Sequence, residues 1–176
     1  QKNICASHTR NRWVLNIDSD EVVTPESAEE IQKVLREGPQ HSVYHLPRKN
    51  YFGDYWVRFG GWYPDRILRL YDKEKVAFSE TQVHERLTPD ENAGTLINAL
   101  VHYSYLDEED YIQRQDRYST LYAKEKMATG FRANWTHVYL RPPFIFFKNY
   151  VLRQGVRDGF LGLFLAKNAA IYTHQK

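Results

Sequence analysis

Five residues, Trp13-Val14-Leu15-Asn16-Ile17, make a short buried-type strand that ends on an acidic run, Asp18-Ser19-Asp20-Glu21. A well-punctuated helix opens three residues later. Thr24 is placed to cap it, Pro25 takes its first position, Glu26 and Glu29 suit the positive end of its dipole, and Gly38 stops it. Ala28, Ile31, Val34 and Leu35 form one apolar stripe, as a helix lying on a sheet requires. Strand, acidic turn and amphipathic helix in that order commit the chain to an α/β fold with carboxylates at a strand end.

The remaining pattern extends this reading. Residues 41–52 alternate like a strand and lead to a Gly53-Asp54 turn; residues 60–65 form an irregular Gly-Gly-Trp-Tyr-Pro-Asp loop. Short strands are expected at 66–71, 76–78 and 82–86, and another within 95–105 that presents His102. Asp107 caps a long helix ending near Gly130. Pro142-Pro143 is expected to interrupt any helix in progress, and residues 144–172 to form one bent amphipathic helix or two, weakened by Gly155, Gly159 and Gly162. The 176 residues suffice for one core, read as a domain over 1–130 with an amphipathic helical extension over 131–176. Because the chemistry lies so near the first residue, further strands, or a packing partner, are expected from outside these residues.

The net charge of +2 is unevenly distributed: residues 134–176 carry six bases and one acid, Asp158. Phe144, Phe146, Phe147, Tyr150, Phe160 and Leu163 interleave with Lys148, Arg153, Arg157 and Lys167, a composition that fits a membrane interface or anionic lipid and equally fits packing on the domain. The single cysteine, Cys5, excludes an internal disulfide framework and points to a reducing compartment. No uncharged apolar run approaches bilayer length. Base and aromatics without a recognition motif give no case for nucleic acid. A P-loop, a Gly-x-Ser-x-Gly elbow and a zinc pattern are all lacking.

Two constellations can carry chemistry. Asp18-Ser19-Asp20 at a strand end can hold a divalent cation, Mg²⁺ or Mn²⁺, and the ribose or diphosphate of a nucleotide; the same triplet alone also describes an exposed acidic turn. Glu85 can act as a base on an acceptor hydroxyl, with Asp65 as the second choice, and His102 can complete a metal shell. His84 and His102 taken singly also read as ordinary strand-end residues. Trp62 and Tyr63 offer a sugar-stacking platform or a core tryptophan beside a turn.

Taken in order, residues 13–25 (WVLNIDSDEVVTP), 47–52 (PRKNYF), 60–71 (GGWYPDRILRLY), 83–85 (VHE), 102–105 (HYSY) and 153–162 (RQGVRDGFLG) make the chain resemble inverting glycosyltransferase family 2. The resemblance is to its lipopolysaccharide-core glucosyltransferase branch. It implies the C-terminal portion of a GT-A fold, a nucleotide-sugar donor such as UDP-glucose, and a glycolipid acceptor at the cytoplasmic face of the bacterial inner membrane. It also implies a metal at Asp18 and Asp20 with His102, donor contacts from Asp18, Ser19 and Asp20, and acceptor or phosphate contacts from Trp62, Tyr63, His84, Arg66 and Arg69. The family's N-terminal half-domain, where the nucleotide base binds, has no counterpart here, which implies an incomplete catalytic unit. Two further readings remain: a non-catalytic glycolipid- or membrane-binding module, and a family 2 transferase acting on capsule or protein glycans.

Overall fold

The computed structural model describes residues 2–78, 87–88 and 93–176. In chain order it holds helix α1 (Lys2–Ser7), strands β1 (Trp13–Leu15) and β2 (Glu21–Val22), and helix α2 (Pro25–Glu37). Strands β3 (Val43–Phe52), β4 (Tyr55–Trp56), β5 (Asp65–Asp72), β6 (Ala77–Phe78), β7 (Leu87–Thr88), β8 (Ala93–Thr95) and β9 (Leu100–Tyr105) follow. Helices α3 (Glu108–Ala128), α4 (Arg141–Phe147) and α5 (Gly159–Gln175) complete it. The chain is thus α/β, with a mixed sheet and a helical C-terminal region. Two compact units form: residues 1–48 with 65–102, and residues 49–64 with 103–176.

The first unit contains the strand order β1-β5-β3-β9-β2, with β8 parallel to β3 and the β1–β5, β3–β5 and β2–β9 pairs antiparallel. Period-two alternation sorts its side chains. Val43 pairs with Tyr71 and packs with Val76 and Ala6 on one side; Tyr44 pairs with Leu70 and packs with Leu46 and Leu100 on the other. Helix α2 covers this second side through Ile31, Val34 and Leu35. Val43, Leu46 and Leu100 are wholly buried, and full burial of such a side chain contributes about 1.5–3 kcal/mol. Thr24 caps α2 by accepting from the Ser27 amide at 3.2 Å, and Gly38 ends it at φ 93°. Glu30 accepts from the amides of Ile97 (2.9 Å) and Asn98 (2.7 Å), tying the helix to the turn before β9. At the far end of β5, Arg12 donates to Asp72 from Nε (2.8 Å) and Nη2 (2.5 Å) and holds that buried carboxyl below the usual carboxylate range.

The second unit packs Phe52, Val57, Tyr111 and Leu165 against Trp62, Tyr105, Leu161 and Phe164. Tyr105 and Tyr111 meet edge to face at 4.7 Å, and burial pushes the Tyr111 hydroxyl well above its ordinary range. Asp107 caps α3 as the sequence suggests, accepting from Asp110 N at 2.8 Å. Asp158 holds the 58–59 loop, accepting from Phe59 N (2.8 Å), Arg58 N (3.2 Å) and the Tyr55 hydroxyl (3.2 Å).

Pro142-Pro143 does not interrupt the helix, contrary to expectation. A π-helical turn, Thr136–Leu140, runs directly into α4, with Arg141 N donating five residues back to Thr136 O, so the prolines, which donate nothing, sit inside a continuous helical run just after this wider turn. A second π-helical turn, Lys148–Leu152, continues the run, which stops where Gln154 turns left-handed at φ 58°. The C-terminal segment therefore forms two helices. Gly162 explains why a weak helix former sits inside the second: a Cβ there would lie 1.8 Å from the carbonyl oxygen of Gly155.

Candidate functional site

Antiparallel register assembles the site within the first unit. Leu15 faces Leu70, and Asn16 N donates to Arg69 O at 2.8 Å, so Arg69 stands across from the strand end that leads into Asp18-Ser19-Asp20. Those residues form a β-turn closed by Glu21 N to Asp18 O at 3.0 Å, with Asp18 N donating back to Glu21 Oε2 at 3.2 Å. Glu21 then pairs with His102 in the β2–β9 ladder, which brings His102 Nε2 to 3.4 Å from Asp20 Oδ2. On the next strand pair, Arg48 faces Asp65.

Charges alternate along this row. Arg69 Nη2 contacts both Asp18 Oδ2 and Glu21 Oε1, the latter at 2.6 Å; Arg48 reaches Glu21 Oε1 at 3.0 Å and Asp65 Oδ2 at 2.5 Å. The Glu21 side chain has no solvent exposure and that of Arg69 only 6%, whereas Asp18, Asp20 and Asp65 remain 47%, 41% and 32% open. A buried Arg-Glu-Arg core thus holds two of these carboxylates, Asp18 and Asp65, while Asp20 lies beside His102. Asp18, Glu21 and Asp65 meet two guanidiniums and Asp20 adds a fourth carboxylate, so this row of side chains carries more acid than base. Asn16 Nδ2 and Arg69 Nε are buried with no acceptor among the described residues, as is Trp56 Nε1 in the second unit.

Among the described residues, no three His, Cys, Asp or Glu side chains are grouped so as to hold a metal ion. Asp20 and His102 come together; Asp18 is engaged by Arg69. That donor set still fits Mg²⁺ or Mn²⁺, because such ions are commonly held by one or two protein ligands, with substrate phosphates and water completing the shell.

The other expected residues are distributed as follows. Ser19 lies at the tip of the turn, and Arg66 is exposed opposite Pro47. Arg69, expected at a phosphate, is buried on Asp18 and Glu21. His84 and Glu85 lie outside the described residues. In the second unit, Trp62 joins the aromatic core and lines a cavity of about 260 Å³ with Tyr111, Asn149 and Leu165, while Tyr63 meets Trp56 edge-on at 5.3 Å. Lys148 and Lys167 are placed on the helices, Arg153 lies against Gly61, and Arg157 stacks over Phe59 at 4.3 Å. Sequence reading did not single out Glu21 and Arg48 as site residues. The available signal was a charged residue inside each of two largely apolar strands, Arg48 and Arg69, since buried guanidiniums require carboxylate partners.

Comparison with known proteins gives distant homology to bacterial glycosyltransferases. The chain is 27% identical to a lipopolysaccharide core biosynthesis glycosyltransferase of Rhizobium meliloti, over 98% of this chain and 65% of that protein. It is 24% identical to an uncharacterized glycosyltransferase of Rickettsia bellii and 26% identical to one of Rickettsia prowazekii, in both cases over 92% of this chain and 59% of theirs. The chain therefore spans about three fifths of the length of these curated relatives. No family model and no solved structure matches it. No helix among the described residues is long and apolar enough to cross a membrane.

Proposed function

We propose that this chain is the metal- and acceptor-side part of an inverting family 2 glycosyltransferase of GT-A type. In this reading it moves a hexose, glucose from UDP-glucose, onto a lipopolysaccharide inner-core acceptor. The observation that carries the proposal is the Asp18-Ser19-Asp20 turn, held at a strand end by Arg69 and Glu21 with Asp20 beside His102. The homology to a lipopolysaccharide core transferase supports the acceptor class.

Asp20 and His102 would hold the divalent cation, which supplies charge stabilisation to a departing diphosphate. Arg69 fixes Asp18 so that the turn keeps its shape when an anionic donor approaches. Asp18 and Ser19 contact the nucleotide, and Arg66 and His84 meet the acceptor. Glu85 takes the acceptor hydroxyl's proton as that oxygen attacks the anomeric carbon opposite the leaving group. Asp65 is the second choice, because Arg48 already occupies its Oδ2.

Glu85→Gln tests this assignment in the full-length protein. Turnover of UDP-glucose should fall by at least roughly a hundredfold while donor affinity is unchanged. Undiminished turnover would remove Glu85 from the base role. A protein that binds glycolipid but transfers no sugar from any nucleotide donor would replace the transferase reading with that of a binding module.

A further inference from the structure

The helices of the second unit carry an apolar surface that the proposed chemistry does not use. Along the run from Thr136 to Leu152, Leu140, Phe144, Phe147 and Val151 recur every three or four residues and stand 48–55% exposed. Residues so spaced share one side of a helix. The same run is covered elsewhere: Pro142 is buried and α4 packs on α5. Leu152 (60% exposed) and, beyond the turn, Phe160 (75%) are also exposed. Contiguous apolar exposure of this kind marks an interaction face.

Charge identifies the occupant. Residues 134–176 contain six bases and one acid, Asp158, which is buried on the backbone of Arg58 and Phe59. Every solvent-facing side-chain charge in these residues is therefore positive. Two copies meeting through this face would set like charges together, whereas an anionic lipid surface complements both the apolar ridge and its cations. Some of the cations are also fixed in place: Arg157 stacks on Phe59 and donates to Gln154 Oε1 at 2.8 Å.

We infer that Leu140, Phe144, Phe147 and Val151 form an interfacial anchor that enters the headgroup boundary of an anionic bilayer, with Lys148 beside them on a lipid phosphate. The anchor lies in the plane of the interface, its apolar side chains at the headgroup boundary. It is independent of whether the protein transfers sugar.

The test is flotation of the full-length protein with phosphatidylcholine vesicles containing one third phosphatidylglycerol, and with phosphatidylcholine alone. Binding should favour the anionic vesicles. Phe144→Asp combined with Phe147→Asp should weaken it at least roughly tenfold. Lys148→Gln, which leaves the ridge intact, should weaken it roughly fivefold. Thermal unfolding of the double variant checks its fold, and the lysine variant decides the matter if that fold is lost. Equal binding to both vesicle types, full binding by the variants, or a dimer with no vesicle binding would each overturn the anchor.

Discussion

Replacing Glu21 with alanine should destabilise the protein by about 3–5 kcal/mol, read as a fall in the urea midpoint at unchanged slope. The size follows from what remains. Arg69 is 6% exposed and relies on Glu21 for its buried partner, its other contact being the half-open Asp18; Arg48 would keep only Asp65. Removing one member of a buried ion network costs far more than the network's net contribution, because the surviving charge stays buried. Glu21 also accepts from Asp18 N, so the variant should loosen the acidic turn and lose metal-dependent donor binding with the stability. A change under about 1 kcal/mol would mean that the turn is held by its backbone alone.

Gly162→Ala should cost roughly 3 kcal/mol, and its sign is the sharper part of the prediction. Alanine in place of glycine inside a helix ordinarily stabilises by about 1 kcal/mol. Here the added methyl would meet the Gly155 carbonyl at 1.8 Å, and backbone cannot move aside as a flexible side chain does. The turn would have to separate from α5, disturbing Asp158 and the 58–59 loop it holds. Urea unfolding of the variant checks this; a gain in stability would show that α5 adjusts freely at that crossing.

Local features were readable from sequence where local chemistry decides them. Thr24, Pro25 and Gly38 bracket α2, and Asp107 opens α3, because caps act within four residues of themselves. Pro142-Pro143 misled because a preceding π-helical turn, invisible to α-helical periodicity, carries the helical run through the pair. Gly162 looked like a weakness in a helix, and only a contact with Gly155 seven residues away gives it a purpose.

The site divides along the same line. Asp18 and Asp20 stood out by type and by position after a strand, and His102 by type on an expected strand. Glu21 and Arg48 did not, since their roles depend on register between strands distant in sequence: 21 against 102, and 48 against 65. Arg69 was noticed, yet for a phosphate rather than for the carboxylates it contacts.

In the proposed function the Asp20 turn binds a nucleotide-sugar together with a divalent cation. Calorimetric titration of UDP-glucose into the full-length protein, with and without Mn²⁺, tests it most directly, with Asp20→Ala as the paired variant. Binding should require Mn²⁺ and weaken at least roughly tenfold in Asp20→Ala, while the variant keeps its unfolding midpoint. Binding of equal strength with and without the metal, or undiminished in the variant, would contradict it.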